Sequence, residues 1–379
     1  MTPAIEPFSF VHSNRRVVYA WDAIAQLPEI VRSSGCKRPA LVLDRFFLDS
    51  PLRDQLQTML HPLVVHGIPA EEPDVATIEA CRDALAASDS DLIVVVGGGS
   101  AMDAVKVARM LLANPGSAEA LAGMNVSMRS HASLLIAIPT TAGTGSEVSE
   151  SAIAGLPGHD IKLIWRSPDM TPQVAILDPA LTVSCPPAVT AYSGYDAVTH
   201  AVEAYVSRAA SVMTDPYALG ALRLLAQWLP IAYCEPDHLE ARGACLIAAT
   251  QAAIAFNSAN LGLAHAIAAP LGAQFGVAHG LGNALALPAV TAFNEPVLGA
   301  KGEAMAQALG ATSAADGLAR LRSAVGLNYS LDQFVPTDVA REALAIAAMK
   351  SGQVKMNPRA ANLVDMRAII AAMRVMTTP

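Results

Sequence analysis

Little of this 379-residue chain is charged: Asp, Glu, Lys and Arg together make 15%, aromatic residues 5%, and the five cysteines (Cys36, Cys81, Cys185, Cys234 and Cys245) form no CxxC pair. Each shortage excludes something. An odd number of scattered cysteines is no disulfide framework and reads as reduced thiols of a cytoplasmic protein. A formal charge of −8 without any basic run argues against nucleic acid or an acidic membrane surface as partner. No stretch of about 18 uninterrupted apolar residues occurs, so no membrane-spanning helix is expected. The opening "MTPAIEPFSFVHSNRR" has no charged start followed by an apolar core, so no secretory signal is expected either. What is abundant is alanine and other apolar residues, 53% hydrophobic in all, which excludes a disordered chain and favours helices packed through small side chains. The length suggests two domains.

The two halves differ in texture. In the first, short apolar runs, "PALVLD" (39–44), "DLIVVVGGGS" (91–100), "ASLLIAIPTTAGTGS" (132–146) and "QVAILD" (173–178), are separated by helical patterns such as "DVATIEACRDALAAS" (74–88) and "AMDAVKVARMLLAN" (101–114). Strand alternating with helix predicts a parallel sheet covered on both faces. After "LDPALTVSCPP" (177–187) the chain turns to long Ala- and Leu-rich segments (215–233, 241–256, 359–376) that read as helical. The proline pair at 186–187 marks the change. The expectation is an α/β dinucleotide-binding domain over 1–185 and an all-α domain over 186–379, with no internal repeat.

"VVVGGGSAMDAVK" runs a strand into three glycines, Ser100 and a helix. Glycines let backbone N–H groups approach a diphosphate closely, and the helix adds its positive end. A tight strand-to-helix turn with no ligand would look the same, and the GxGxxG fingerprint is absent. A second loop, "IPTTAGTGSE" (138–147), ends another strand with threonines, glycines and Ser146. Two such loops suit a dinucleotide crossing a crevice. Asp44 closes the first strand; it can bind a ribose 2′-hydroxyl and repel a 2′-phosphate, favouring NAD over NADP, or it can be an ordinary turn or helix cap.

In "YDAVTHAVEAY" (195–205) Asp196 precedes His200 by four residues, so on a helix both leave one face. Downstream, "GLAHAIAAPLGAQFGVAHGLGNALALP" (262–288) carries His265 and His279. One carboxylate and three imidazoles suit zinc or ferrous iron, with a position left for a substrate oxygen. Taken singly, each of these histidines could equally be a satisfied core residue. The other six (12, 61, 66, 131, 159 and 238) sit in no comparable pattern.

With "KLIWRSPDMTPQVAILDPALT" (162–182) and "NPR" (357–359), these segments, in this order, resemble the iron-containing (group III) alcohol dehydrogenase family over nearly the whole chain. The resemblance implies a Rossmann-like domain and a helical domain, a dehydroquinate synthase-like architecture, with the active site in the cleft between them. It implies Asp196, His200, His265 and His279 as metal ligands, with Fe2+ favoured and Zn2+ an alternative. It implies Gly98, Gly99 and Ser100 as the pyrophosphate loop, Thr140, Thr141 and Thr144 beside adenine and nicotinamide, and Asp103 and Lys162 as polar cofactor-side positions, Lys162 also as a catalytic candidate. Two departures stand out. Ala269 replaces a histidine that many members carry four residues after the third ligand, and Ser151 stands where some have asparagine.

The expected reaction is hydride transfer between NAD(H) and a small alcohol or aldehyde whose oxygen the metal polarises. No nucleophile elbow is present, since "TGSEVSES" is not GxSxG. Segments of small residues at 149–157 and 254–262, without Arg or Lys, suggest an uncharged substrate, and flat Ala-rich helical faces suggest a homodimer or higher oligomer. Three rivals remain at this point. A maleylacetate-type reductase would lack the full metal set. A dehydroquinate synthase-type lyase would need a basic pocket. A non-catalytic NAD-binding protein could retain the fold.

Overall fold

The computed structural model describes residues 9–10, 16–69, 73–124, 128–156 and 162–374. Most of the opening segment, His12, Pro157 and His159 lie outside the described residues. The chain forms two compact units: one is His12–Thr141 with Gly145–Ser184, and the other is Cys185–Pro379 with Ala142–Thr144 and Met1–Val11.

The first unit is built on strands β1 (Arg16–Tyr19), β2 (Pro39–Asp44), β3 (Val64–Ile68), β4 (Leu92–Gly97), β5 (Gly123–Met124), β6 (Leu134–Pro139), β7 (Ser151–Gly155), β8 (Lys162–Arg166) and β9 (Val174–Leu177). Its helices are α1 (Leu27–Ser34), α2 (Pro51–Leu60), α3 (Val75–Ser88) and α4 (Gly99–Ala113). Six strands form one sheet in the order β1-β9-β6-β4-β2-β3, and every pair in it is parallel. Period-two alternation sends β2 and β4 to two cores. Ala40, Val42, Ile93 and Val95 pack with Ile78, Leu85, Met102 and Val105 of α3 and α4. Leu41, Leu43, Val94 and Val96 pack with Leu27, Ile30, Leu56 and Leu60 of α1 and α2. A strand buried on both faces needs the unbroken apolar run that the sequence shows. A second sheet, β5-β8-β7, is an addition the sequence did not announce: β7 and β8 are antiparallel, and β5 has only two residues.

The connection after β2 leads to β3 on one side of the sheet, and the connection after β4 leads to β6 on the other. The carboxyl ends of β2 and β4 therefore flank a topological switch point, where open parallel sheets bind ligands.

The second unit contains α5 (Pro187–Val206), α6 (Asp215–Cys234), α7 (Leu239–Ala259), α8 (Leu263–Phe275), α9 (His279–Leu298), α10 (Ala300–Ala308), α11 (Ala314–Ala324), α12 (Asp338–Ala348) and α13 (Leu363–Ala372). Pro187 opens α5 in the first helical turn, where its missing N–H costs nothing, so the proline pair starts a helix here. Alanines such as Ala197, Ala201, Ala248, Ala252 and Ala255 are buried in one core, which lets these helices approach closely. By length and composition α7 could cross a membrane, but 67% of its most apolar window is buried within the protein, as in a core helix.

Candidate metal centre and cofactor loop

Helix α5 carries Asp196, His200 and Glu203 at spacings of four and three, so all three lie on one face. Helix α8 brings His265 in its first turn, and His279 is the first residue of α9. The close approach of α9 to α5 requires Gly280: a Cβ there would lie 2.0 Å from the Tyr192 carbonyl oxygen. The result is a buried carboxylate ringed by imidazoles. Asp196 Oδ1 lies 3.8 Å from His200 Nε2, 3.7 Å from His265 Nε2 and 3.6 Å from His279 Nε2. A tetrahedral ion with bonds of about 2.1 Å sets its ligand atoms about 3.4 Å apart, so these separations fit one divalent cation.

The tightest group is Asp196, His265 and His279, whose ligand atoms all lie within 4.8 Å of one another. His200 stands beside it, its ring stacked on that of His265 at 4.8 Å and against Phe256 at 4.7 Å between centroids. The His279 side chain is 35% exposed while those of Asp196, His200 and His265 are at most 7% exposed, so the centre opens on the His279 side.

Electrostatics agree with a cation site. Burial pushes the Asp196 carboxyl up, but His200, His279 and His265 outweigh it and hold the group well below the usual carboxylate range. Burial pushes His200 down to about 4, leaving it neutral and able to ligate. For His265 burial acts downward, yet the neighbouring carboxylates of Asp196 and Glu203 raise it to about 9. That is the response of an imidazole held between two carboxylates.

Two further residues belong to the centre and were not singled out from sequence. Asn283, one turn after His279 on α9, donates from Nδ2 to Asp196 Oδ1 (2.7 Å), with the same nitrogen 3.1 Å from His265 Nε2 and 3.4 Å from His279 Nε2. Its Oδ1 is buried without a hydrogen-bond partner. Glu203 accepts from the Ala264 N–H and pairs with His265 Nδ1, both at 2.6 Å. The signal for both was helical spacing: Glu203 is seven residues after Asp196, and Asn283 four after His279. The remaining described histidines are otherwise engaged. His61 ends α2, His66 lies in β3, His131 contacts Ser133, and His238 caps α7.

In the α/β unit, helix α4 begins at Gly99, so Gly99 and Ser100 occupy its first turn, where N–H groups point out toward an anion. Asp44 meets this loop directly: a Cβ on Gly97 would lie 2.9 Å from Asp44 Cβ, so only glycine lets the two strand ends come this close. Asp44 also accepts from the Phe46 N–H at 3.0 Å, capping the turn after β2. Thr140 is buried, its N–H donating to Gly97 O at 3.0 Å, and Thr141 lies against Gly98.

The loop after β6 is held from below by α4. Asp103 accepts from Ser146 Oγ (2.6 Å) and from the Ile153 N–H (2.9 Å). Lys106, fully buried, donates to Ser146 Oγ (2.6 Å), Ser149 Oγ (2.9 Å) and Ser151 O (2.9 Å). Burial pushes its ammonium down to about 8 against the opposing pull of Asp103, Glu147 and Glu150. Lys106 was not anticipated as a site residue. Thr144 belongs to the helical unit. Lys162 is not gathered with this group: it pairs with Gly155, four ladder positions from Ser151, or about 13 Å along the hairpin.

Comparison with known proteins gives an independent result. The iron-containing alcohol dehydrogenase model matches residues 14–179, and the model of that family's C-terminal region matches residues 190–374. The probable alcohol dehydrogenase EutG of Escherichia coli (strain K12) is 37% identical over 363 residues, covering 92% of this chain and 91% of its own. The NAD-dependent methanol dehydrogenase of Bacillus methanolicus is 31% identical, covering 92% and 95%. A crystal structure of 1,3-propanediol oxidoreductase superposes with a TM-score of 0.90 at 29% identity, covering 97% of this chain and 100% of that one.

Proposed function

Because the chain belongs to the iron-containing alcohol dehydrogenase family and is an NAD-dependent alcohol oxidoreductase of that type, we propose which of its residues perform the reaction and on what class of substrate. The observation that carries the assignment is the single oxygen, Asp196 Oδ1, within 3.8 Å of three imidazole nitrogens. Asp196, His200, His265 and His279 hold the divalent ion, Fe2+ or Zn2+. When bound, the ion supplies Lewis acidity toward the substrate oxygen and the nicotinamide supplies or accepts hydride.

The chain's own groups do the rest. Asp196 provides the negative charge that draws the cation into a dry site. His200, neutral at pH 7, adds a nitrogen without adding charge. The exposed side of His279 leaves room for a substrate oxygen to enter. In the other unit Gly98, Gly99 and Ser100 take the pyrophosphate on the first turn of α4. Asp44 accepts from the adenosine ribose hydroxyls and repels a 2′-phosphate, which selects NAD. Thr140, Thr141, Thr144 and Ser151 present hydroxyls to the cofactor, while Ser146, expected to join them, bridges Asp103 and Lys106 and braces their loop.

The substrate is a small, uncharged primary alcohol or aldehyde. Ala269 offers no titrating group, so the proton leaves through water and ribose hydroxyls. Five free thiols support a cytoplasmic location, and the small-residue helical faces support a homodimer or higher oligomer. The test is anaerobic NADH oxidation by Fe2+-loaded protein over an aldehyde series, with Zn2+-loaded and Asp196→Ala protein alongside. Metal-dependent turnover that Asp196→Ala abolishes, together with its bound metal, is expected. A metal-free Asp196→Ala protein with full turnover would sink the assignment.

A further inference from the structure

Glu203 lies outside the ligand set yet is 3% exposed and spends both carboxylate oxygens within the centre. Oε1 accepts from the Ala264 N–H and Oε2 pairs with His265 Nδ1, each at 2.6 Å. Ala264 and His265 are adjacent residues in the first turn of α8, where backbone N–H groups have no partner inside the helix. One carboxylate thus caps the helix and grips the ring that the same turn carries. Behind it is a pocket of about 10 Å3, room for one water, which Glu203 lines with Thr291, Asn294 and Asn357. Asn294 and Asn357 are locked to each other by reciprocal amide bonds of 3.0 and 2.7 Å. Glu203 is held by its two contacts to α8, with the rigid Asn294–Asn357 pair across the pocket.

We propose that Glu203 is the positioning residue of the metal centre, fixing His265 with the proton on Nδ1 and a bare Nε2 turned to the ion. The inference rests on the metal centre assigned above. The chemistry requires a carboxylate. Both contacts face N–H donors, so the residue must accept twice. Glutamine has the same shape but accepts only through its oxygen. If that oxygen takes the Ala264 N–H, its NH2 faces His265 Nδ1 and drives the imidazole proton to Nε2, the atom the metal needs. If the oxygen takes His265, the NH2 meets the Ala264 N–H, donor against donor. Carboxylates behind metal-bound histidines act in this way, and their loss typically weakens metal binding about 10- to 100-fold.

The test is a zinc dissociation constant by chelator competition on full-length protein, for wild type, Glu203→Gln, His265→Ala and the double variant. Glu203→Gln is expected to weaken zinc about 10- to 100-fold, with NADH affinity unchanged as proof of an intact fold. In the His265→Ala background the Glu203→Gln change should cost nothing further, because Glu203 acts through that ring. Glu203→Asp, with two acceptors on a shorter stem, should fall between wild type and Glu203→Gln. A Glu203→Gln affinity within about threefold of wild type overturns the inference, as does an additive loss in the double variant, which would mark a purely structural role. Wild-type protein that binds no zinc or iron would instead overturn the metal centre itself, and the inference with it.

Discussion

Both units bury charge in a dry interior, and they complete it in opposite ways. In the α/β unit the buried cation Lys106 has three acceptors on three hydrogen bonds, with Asp103 3.8 Å away, so its own donors are all used. In the helical unit the buried anion Asp196 is surrounded by three imidazoles, and among the described residues the neighbouring Asn283 Oδ1 has no hydrogen-bond partner. A closed network stabilises a shape, here the loop between β6 and β7. An open one stores unmet demand for positive charge, which is what a binding site is. On the proposed assignment, the difference separates the part of the molecule that shapes the cofactor loop from the part that takes up an ion.

The largest break in this comparison should come from moving the open network without touching a ligand. Gly280→Ala would place a methyl carbon 2.0 Å from the Tyr192 carbonyl oxygen. Helix α9 must then retreat from α5, taking His279 and Asn283 with it. Overpacking of this kind costs about 1–3 kcal/mol of stability, and a misplacement near 1 Å can cost about 10²-fold in turnover. Metal content and NADH oxidation should fall together while NADH affinity holds. Full metal occupancy with wild-type turnover would show that α9 does not set the centre's geometry.

A smaller effect should follow from opening the closed network. Lys106→Met removes three donors at once and leaves Ser146, Ser149 and the Ser151 carbonyl without their cation. A loss of about 1–3 kcal/mol in urea unfolding is expected for the groups left unsatisfied, with NADH bound several-fold more weakly, since the loop carrying the cofactor-side hydroxyls loosens. Zinc affinity should not change. If zinc affinity fell and NADH affinity did not, the division of labour between the units would be wrong.

The sequence showed most of this fold because the strands are buried on both faces. "PALVLD" became β2 residue for residue, and "LIVVVG" became β4. The β7–β8 hairpin escaped notice because β7 alternates between buried and half-buried residues and β8 buries only Trp165, with no continuous buried run to mark them. At the candidate metal centre the four proposed ligands stood out as rare residue types at informative spacings. Glu203, Asn283 and Lys106 did not, because each looks like an ordinary polar residue on a helix. Their importance comes from which helix packs against which, and only tertiary structure supplies that. Asp44 caps the turn after β2, as one of its two sequence readings expected, and it lies against the glycine loop, where the ribose reading remains a proposal.

The smallest predicted effect tests whether the closed network holds its charge at a cost. Burial pushes the Lys106 ammonium down to about 8 in the folded protein, against about 10.5 for a lysine in water. Between those values the unfolded chain keeps a proton that the folded chain has released. Stability therefore rises with pH across that window; the penalty is full below about 8 and gone above about 10.5. The rise should approach, and cannot exceed, about 1.4 kcal/mol per pH unit for one proton. Lys106→Met has no such proton, so the wild-type advantage in urea unfolding should grow between pH 8 and 9.5. A flat difference over that range would mean that Asp103, Glu147 and Glu150 together outweigh burial and keep the lysine charged. Lys106 would then be a true ion-pair anchor, and the α/β unit would bury its charge at no cost in this pH range.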